Sequence, residues 1–330
     1  MSGFSDIIGR DQIISRLKNT VREGTVSHAW LIEGGPGSGK MMLAKAFAAA
    51  LLCEKKDGDA CGECRSCHQA ANGNHPDLVY VTHEKSSLIS VGEIREQLTA
   101  DIAVRPYFGG YKIYIVKDAE LMNASAQNAL LKTLEEPPSY AVIMLLTRNA
   151  GALLETVRSR CVNITLGSLD GDTVRSYLMS ELNEPDYQAK LIAAFADGSI
   201  GRAKELSRSE EFTMIRDEAV RAAAGASKMD SRQIMAAVAQ AAQFKDRIDD
   251  YLEILSVWFR DVLMFKAVRS PDDLIFSDHL SEITRSAARA SYEGLEEIMQ
   301  AVEKASVRLK ANVSFNLTME LLLLTIKENT

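Results

Sequence analysis

Apolar residues in the first half of the chain follow two alternating rhythms. Short apolar runs at 28–32, 77–81, 113–116, 141–146 and 162–166 predict five strands. Between them, 41–52, 91–102 and 125–134 carry apolar positions at helical spacing. Strands and helices taking turns predict a mostly parallel sheet with helices on both faces, because a parallel crossover needs a helix to return the chain. Past Gly167 the strand rhythm stops. Segments 169–182, 187–196, 201–206, 209–224, 232–268, 278–290, 294–310 and 315–326 all read as helix, with Gly198, Gly201 and Ser270-Pro271-Asp272-Asp273 as punctuation. The expected organisation is an α/β domain over 1–167, a small helical lid over 168–207 and an all-helical C-terminal domain over 208–330.

Composition narrows the function classes. With 46% hydrophobic and 25% charged residues in 330, the chain can bury a full core without staples. A net charge of -7 denies it the broad positive field behind non-specific phosphate binding, so any DNA contact is expected to be local or borrowed from partners. No stretch approaches the roughly 20 apolar residues a bilayer requires, and the start lacks the order of a secretory signal. The expectation is a cytoplasmic protein with no membrane partner.

Gly34-Gly-Pro-Gly-Ser-Gly39-Lys40 follows an expected strand and opens an expected helix, the setting of a phosphate-binding loop. There Gly34, Gly37 and Gly39 let backbone N–H groups close around phosphate, and Lys40 reaches the outer phosphates. The next residue should carry a hydroxyl for Mg²⁺, yet it is Met41, and a thioether is a poor ligand for a hard cation. The acidic pair expected after the 113–116 strand reads Lys117-Asp118. A cation at the metal position exchanges attraction for repulsion, about 4 kcal/mol per unit pair at 4 Å and an effective dielectric near 20. A one-residue slip would let Asp118 substitute, against the alternation of side chains along a strand. ATP binding stays open on this reading, and hydrolysis is not expected.

Cys53, Cys61, Cys64 and Cys67 fall within fifteen positions, the number and type of ligand for tetrahedral structural Zn²⁺, with Gly58 and Gly62 to turn the chain. His68 and His75 are near enough to replace one thiolate. Four thiolates leave no open position, which disfavours a catalytic metal.

The phosphate loop, the inserted four-cysteine knuckle, Asn128-Ala-Leu-Leu-Lys-Thr-Leu-Glu-Glu-Pro-Pro138 and Ser159-Arg160-Cys161 together resemble the bacterial DNA polymerase III clamp-loader family, a branch of the AAA+ proteins. Similarity runs from Phe4-Ser-Asp-Ile-Ile-Gly-Arg10 to Lys310-Ala-Asn-Val313. Departures at Met41 and Lys117, and an end at Thr330, favour its delta-prime branch over the hydrolysing gamma/tau type. The resemblance implies an AAA+ P-loop domain with a zinc module at 53–75, a lid, and a C-terminal collar that joins a ring. It implies as partners the gamma/tau and delta subunits, and through the complex the sliding clamp and primed DNA. It also implies that Arg160 is a finger acting on a neighbour's ATP, Thr147 a sensor-type position and Arg202 a lid arginine near nucleotide. The plainer alternatives are an ion-paired structural Arg160, a strand-ending Thr147 and a solvated Arg202. An active gamma/tau-type ATPase is the competing function. A nucleic-acid-binding zinc module is a third, disfavoured because residues 54–73 hold no aromatic.

Overall fold

The computed structural model describes residues 3–83 and 87–330. Helix α1 (Asp11–Glu23) precedes strand β1 (Ala29–Gly34), which runs into α2 (Lys40–Leu52). After α3 (Arg65–Ala71) come β2 (Leu78–Val81), the single turn α4 (Val91–Ile94), β3 (Lys112–Val116), α5 (Ala124–Glu135), β4 (Ala141–Thr147), α6 (Glu155–Arg158) and β5 (Val162–Leu166). The rest is helical: α7 (Gly171–Leu182), α8 (Asp186–Phe195), α9 (Ile200–Arg208), α10 (Glu210–Gly225), α11 (Ser231–Ala241), α12 (Ile248–Val268), α13 (Leu280–Arg289), α14 (Tyr292–Lys310) and α15 (Phe315–Asn329).

All pairings in the sheet are parallel, in the order β2-β3-β4-β1-β5. Alternate residues of each strand feed opposite faces, which produces two cores. Trp30, Ile32, Ile113, Ile115, Met144 and Ile164 pack with Leu43 and Phe47 of α2 on one side. Leu31, Tyr114, Val116, Ile143 and Leu145 pack with Leu98, Leu130 and Leu134 on the other. This is the expected α/β arrangement of a parallel sheet with helices on both faces, and it places the phosphate loop, Lys117 and Thr147 at the C-terminal ends of neighbouring strands, where open parallel sheets bind ligands.

Contacts divide the chain into two units, Met1–Thr173 with Asp197–Arg202, and Val174–Ala196 with Ala203–Thr330. The stretch 168–207 is thus shared between them. The second unit is entirely helical and is built around buried aromatic and aliphatic side chains, with Trp258 edge-on to Phe276 and Phe195 edge-on to Phe212.

Two expected helices differ in detail. The 91–102 segment is α-helical only through Ile94, then widens into a π turn at Arg95–Ala100 and tightens at Asp101–Ala103. Ile94, Leu98 and Ile102 stay buried throughout, so the apolar spacing survives a change of hydrogen-bond pattern that it cannot report. The expected 232–268 helix breaks at Ala242–Arg247, where Phe244 leaves helical geometry. Arg247 bonds to Ser209 and Glu211 at the start of α10, and Asp249 and Asp250 favour a fresh N-terminus for α12. Among the described residues no helix is long and apolar enough to cross a membrane.

Candidate functional site: a phosphate loop and a cysteine cluster

β1 delivers the chain to the loop, and Gly37 (φ +68°) and Gly39 (φ +92°) turn it into α2. The Lys40 ammonium donates to the carbonyls of Gly34 (2.6 Å) and Gly35 (2.8 Å), folding back along the loop. Burial lowers the Lys40 pKa, while the nearby carboxylates of Glu120 and Asp118 oppose that shift. Ser38 Oγ is buried without a hydrogen-bond partner. The turn, Lys40 and this orphaned hydroxyl suit an anion. The metal-binding groups are lacking, because Met41 packs against the sheet core.

β3 ends at Val116, so Lys117 and Asp118 lie beyond the strand and the alternation that argued against Asp118 does not reach them. Asp118 adopts a left-handed conformation (φ +50°). Lys117, with its side chain 64% exposed, pairs with Asp118 at 3.5 Å. Arg148, just past Thr147, reaches Asp118 at 3.9 Å and Glu120 at 3.7 Å, and its backbone N–H donates to Glu120. The carboxylates beside Lys40 are therefore already countered by two cations. Arg148 was absent from the sequence reading, since an arginine after a strand carries no signal until the sheet sets it beside β3.

Thr147 is fully buried, and its Oγ1 accepts from Asn149 N at 3.1 Å, an interaction that holds the strand end. The Arg202 backbone sits against the loop instead of at a distance: Arg202 N donates to Ser199 Oγ, and Gly201 N donates to the Gly37 carbonyl at 3.3 Å. A Cβ on Gly201 would stand 2.9 Å from Gly37 Cα, backbone against backbone. Gly201→Ala is expected to cost about 1–3 kcal/mol through this overpacking, measurable as a shift in urea midpoint with unchanged slope.

The four cysteine sulfurs lie within 4.8 Å of one another, and Cys61 and Cys67 are 3.9 Å apart. Zn–S bonds near 2.3 Å place tetrahedral sulfurs about 3.8 Å apart, so the donor set fits a Cys₄ ion. Backbone N–H groups of Cys61, Cys64 and Cys67 each donate to the preceding cluster sulfur at 3.4 Å. Such donors, from Glu63 and Cys64, pull the Cys61 thiol down to about 7, whereas burial pushes Cys67 up. Neither histidine joins the cluster. His68 is exposed, and buried His75 spends Nδ1 on Asp77 N and Nε2 on Ser66 Oγ (2.7 Å).

Arg160 lies after α6, where its guanidinium pairs with Glu135 at 2.7 Å and donates to Thr156 O. Both partners are partly exposed, at 35% and 50% of the side chain.

Comparison with known proteins gives this geometry a family. A model described as DNA polymerase III, delta subunit, matches residues 9–170, and one described as its C terminal matches residues 211–328. The delta-prime subunit of Bacillus subtilis is 29% identical over 320 residues, 96% of each chain. The chain belongs to the DNA polymerase III delta-prime family. The delta-prime subunit of Pseudomonas aeruginosa is 34% identical over 213 residues, covering 64% of this chain and 63% of that one. The tau/gamma subunit of Haemophilus influenzae is 34% identical over 203 residues, and there the match spans 60% of this chain and 29% of the relative's length.

Proposed function

We propose that this chain is a non-hydrolysing ring subunit that helps load the sliding clamp onto primed DNA, beside gamma/tau and delta subunits. The observation that carries the loss of hydrolysis is the pairing of Asp118 and Glu120 with Lys117 and Arg148 next to a loop whose hydroxyl position is Met41. Phosphoryl transfer relies on a divalent metal between the outer phosphates and a carboxylate. Here the hydroxyl position is a thioether, the first residue after β3 is an ammonium, and the carboxylates beyond it are already paired with Lys117 and Arg148. Lys40 and the glycine turn remain suited to an anion, which separates nucleotide binding from turnover. In the same reading the C-terminal helices form the collar, and Cys53, Cys61, Cys64 and Cys67 hold one structural zinc.

Arg160 serves a neighbour's site on this reading. Its bond to Glu135 supports the reading on energetic grounds: partly exposed ion pairs are worth about 0–1 kcal/mol, so exchange for a phosphate is cheap. A phosphate-release assay with Mg²⁺ and primed DNA tests the central point. Isolated protein is expected to stay at background, and turnover that Lys40→Ala abolishes would establish an active gamma/tau-type ATPase instead.

A further inference from the structure

One surface lies outside the phosphate loop and the ring reading. Between the tight turn at 101–103 and β3, the segment Val104-Arg105-Pro106-Tyr107-Phe108 turns its apolar side chains to solvent, with Val104 59%, Tyr107 77% and Phe108 44% exposed. Large apolar side chains grouped on a surface are more informative than ones scattered singly. Two buried ionisable side chains hold the segment in place. Asp77, 2% exposed, accepts from the backbone N–H of Tyr107 (2.6 Å) with one oxygen and of Phe108 (3.0 Å) with the other. Lys112, 5% exposed, donates to the carbonyls of Asp101 and Val104. Burying such groups is costly unless they are fully bonded, and here their bonds fix a loop that has no core of its own.

The tertiary fold brings this loop to the cysteine module. The Arg65 guanidinium of α3 lies 5.4 Å over the Phe108 ring, and His75 packs 5.4 Å from that ring on the same segment that supplies Asp77. Tyr107 stands edge-on to Phe108 at 5.0 Å and is the outermost ring. Neither Arg65 nor Arg105 has a carboxylate partner among the described residues, while the neighbouring acids are engaged: Glu63 with Lys55, Asp101 with Lys112, and Asp77 with the loop. An exposed ring on a pinned loop, with the Arg65 guanidinium over its neighbour Phe108 and exposed Arg105 two residues before it in the chain, has the chemistry of a base-stacking platform, where the ring takes a base and the cations take phosphates.

We propose that Tyr107 and Phe108, with Arg65 and Arg105, form a binding surface for single-stranded nucleic acid. Single strands fit because their bases are free to stack, whereas a duplex offers only phosphates to a locally basic surface on an acidic protein. The surface works through stacking and two charges, so it binds without sequence preference and weakens with salt. It does not require ATP turnover or ring assembly.

The test uses the whole metal-loaded chain and a fluorescent oligo-dT of about 15 nucleotides, a length that covers a typical single-strand site. Anisotropy at low salt is expected to show binding that Tyr107→Ala weakens roughly 10-fold and Tyr107→Trp restores. Arg105→Ala is expected to weaken it and flatten the salt dependence, and a duplex of equal length is expected to compete poorly. Circular dichroism and metal content establish that each variant is folded. Absence of oligo-dT binding by the folded wild type overturns the proposal, as does binding that Tyr107→Ala leaves unchanged. Loss of a loader subunit from the Tyr107→Ala protein with oligo-dT binding intact assigns the surface to a protein partner and also overturns it.

Discussion

Protein purified without chelator is expected to carry about one zinc ion per chain, and Cys64→Ser is expected to lose it. The four sulfurs are already gathered within 4.8 Å, and those of Cys53, Cys61 and Cys64 each accept a backbone N–H within the cluster. Cys64 matters twice, as a cluster member and as the N-cap residue of α3 whose sulfur accepts from Cys67 N. Structural zinc in small Cys-rich modules is worth about 10–16 kcal/mol at neutral pH, comparable to the whole stability of a domain. No strand carries a cluster cysteine, so the variant is expected to open first at α3 and residues 53–75. Elemental analysis reads the metal, thiol titration reads the freed cysteines, and limited proteolysis reads the opened segment. A metal-free wild type that is fully folded with reactive thiols would end the assignment. Because Arg65 lies on α3, loss of the ion is also expected to loosen the support of Phe108.

Arg160→Ala is expected to leave loader assembly intact and to lower its DNA- and clamp-stimulated ATPase. An arginine that enters a neighbour's site stabilises charge on the transferring phosphoryl group, typically about 10³ to 10⁵ in rate at that site. One site of several is affected, so bulk turnover falls in part while clamp loading, which needs the ring to act together, falls further. Glu135→Gln separates this role from a structural one. It removes the intrachain charge partner of Arg160 while leaving the guanidinium free for a phosphate. A finger tolerates that change, whereas a purely structural pair loses the same stability from either side. Unchanged clamp loading by an assembled Arg160→Ala ring would show that the residue only ties α6 to α5.

Much of the α/β half was legible because its signals are local. A strand running into glycines and Lys40 specifies a phosphate loop through backbone conformation alone, and four cysteines within fifteen positions can meet whatever surrounds them. Met41 was equally plain, as the residue that follows Lys40 in the loop. The break inside 232–268 was not legible, since the bond from Arg247 to residues of α10 joins positions far apart in sequence. Likewise, the 91–102 segment reads at one apolar spacing even where its hydrogen bonds widen.

The amino-acid sequence by itself determined the order of the five strands and the helices between and after them, though not α1 or α3, together with the loop, the cysteine set and the family resemblance, because each is written in residue types at short range. Only the tertiary structure decided what stands beside them. Parallel pairing of β3 with β4 sets Arg148 against Asp118 and Glu120, and packing of 199–202 on the loop brings Gly201 to Gly37. The module that lacked an aromatic in its own segment acquires Phe108 and Tyr107 from a loop some forty residues further along, held by Asp77. Through-space electrostatics and close contact depend on distance, and distance between remote residues exists only once the sheet has formed.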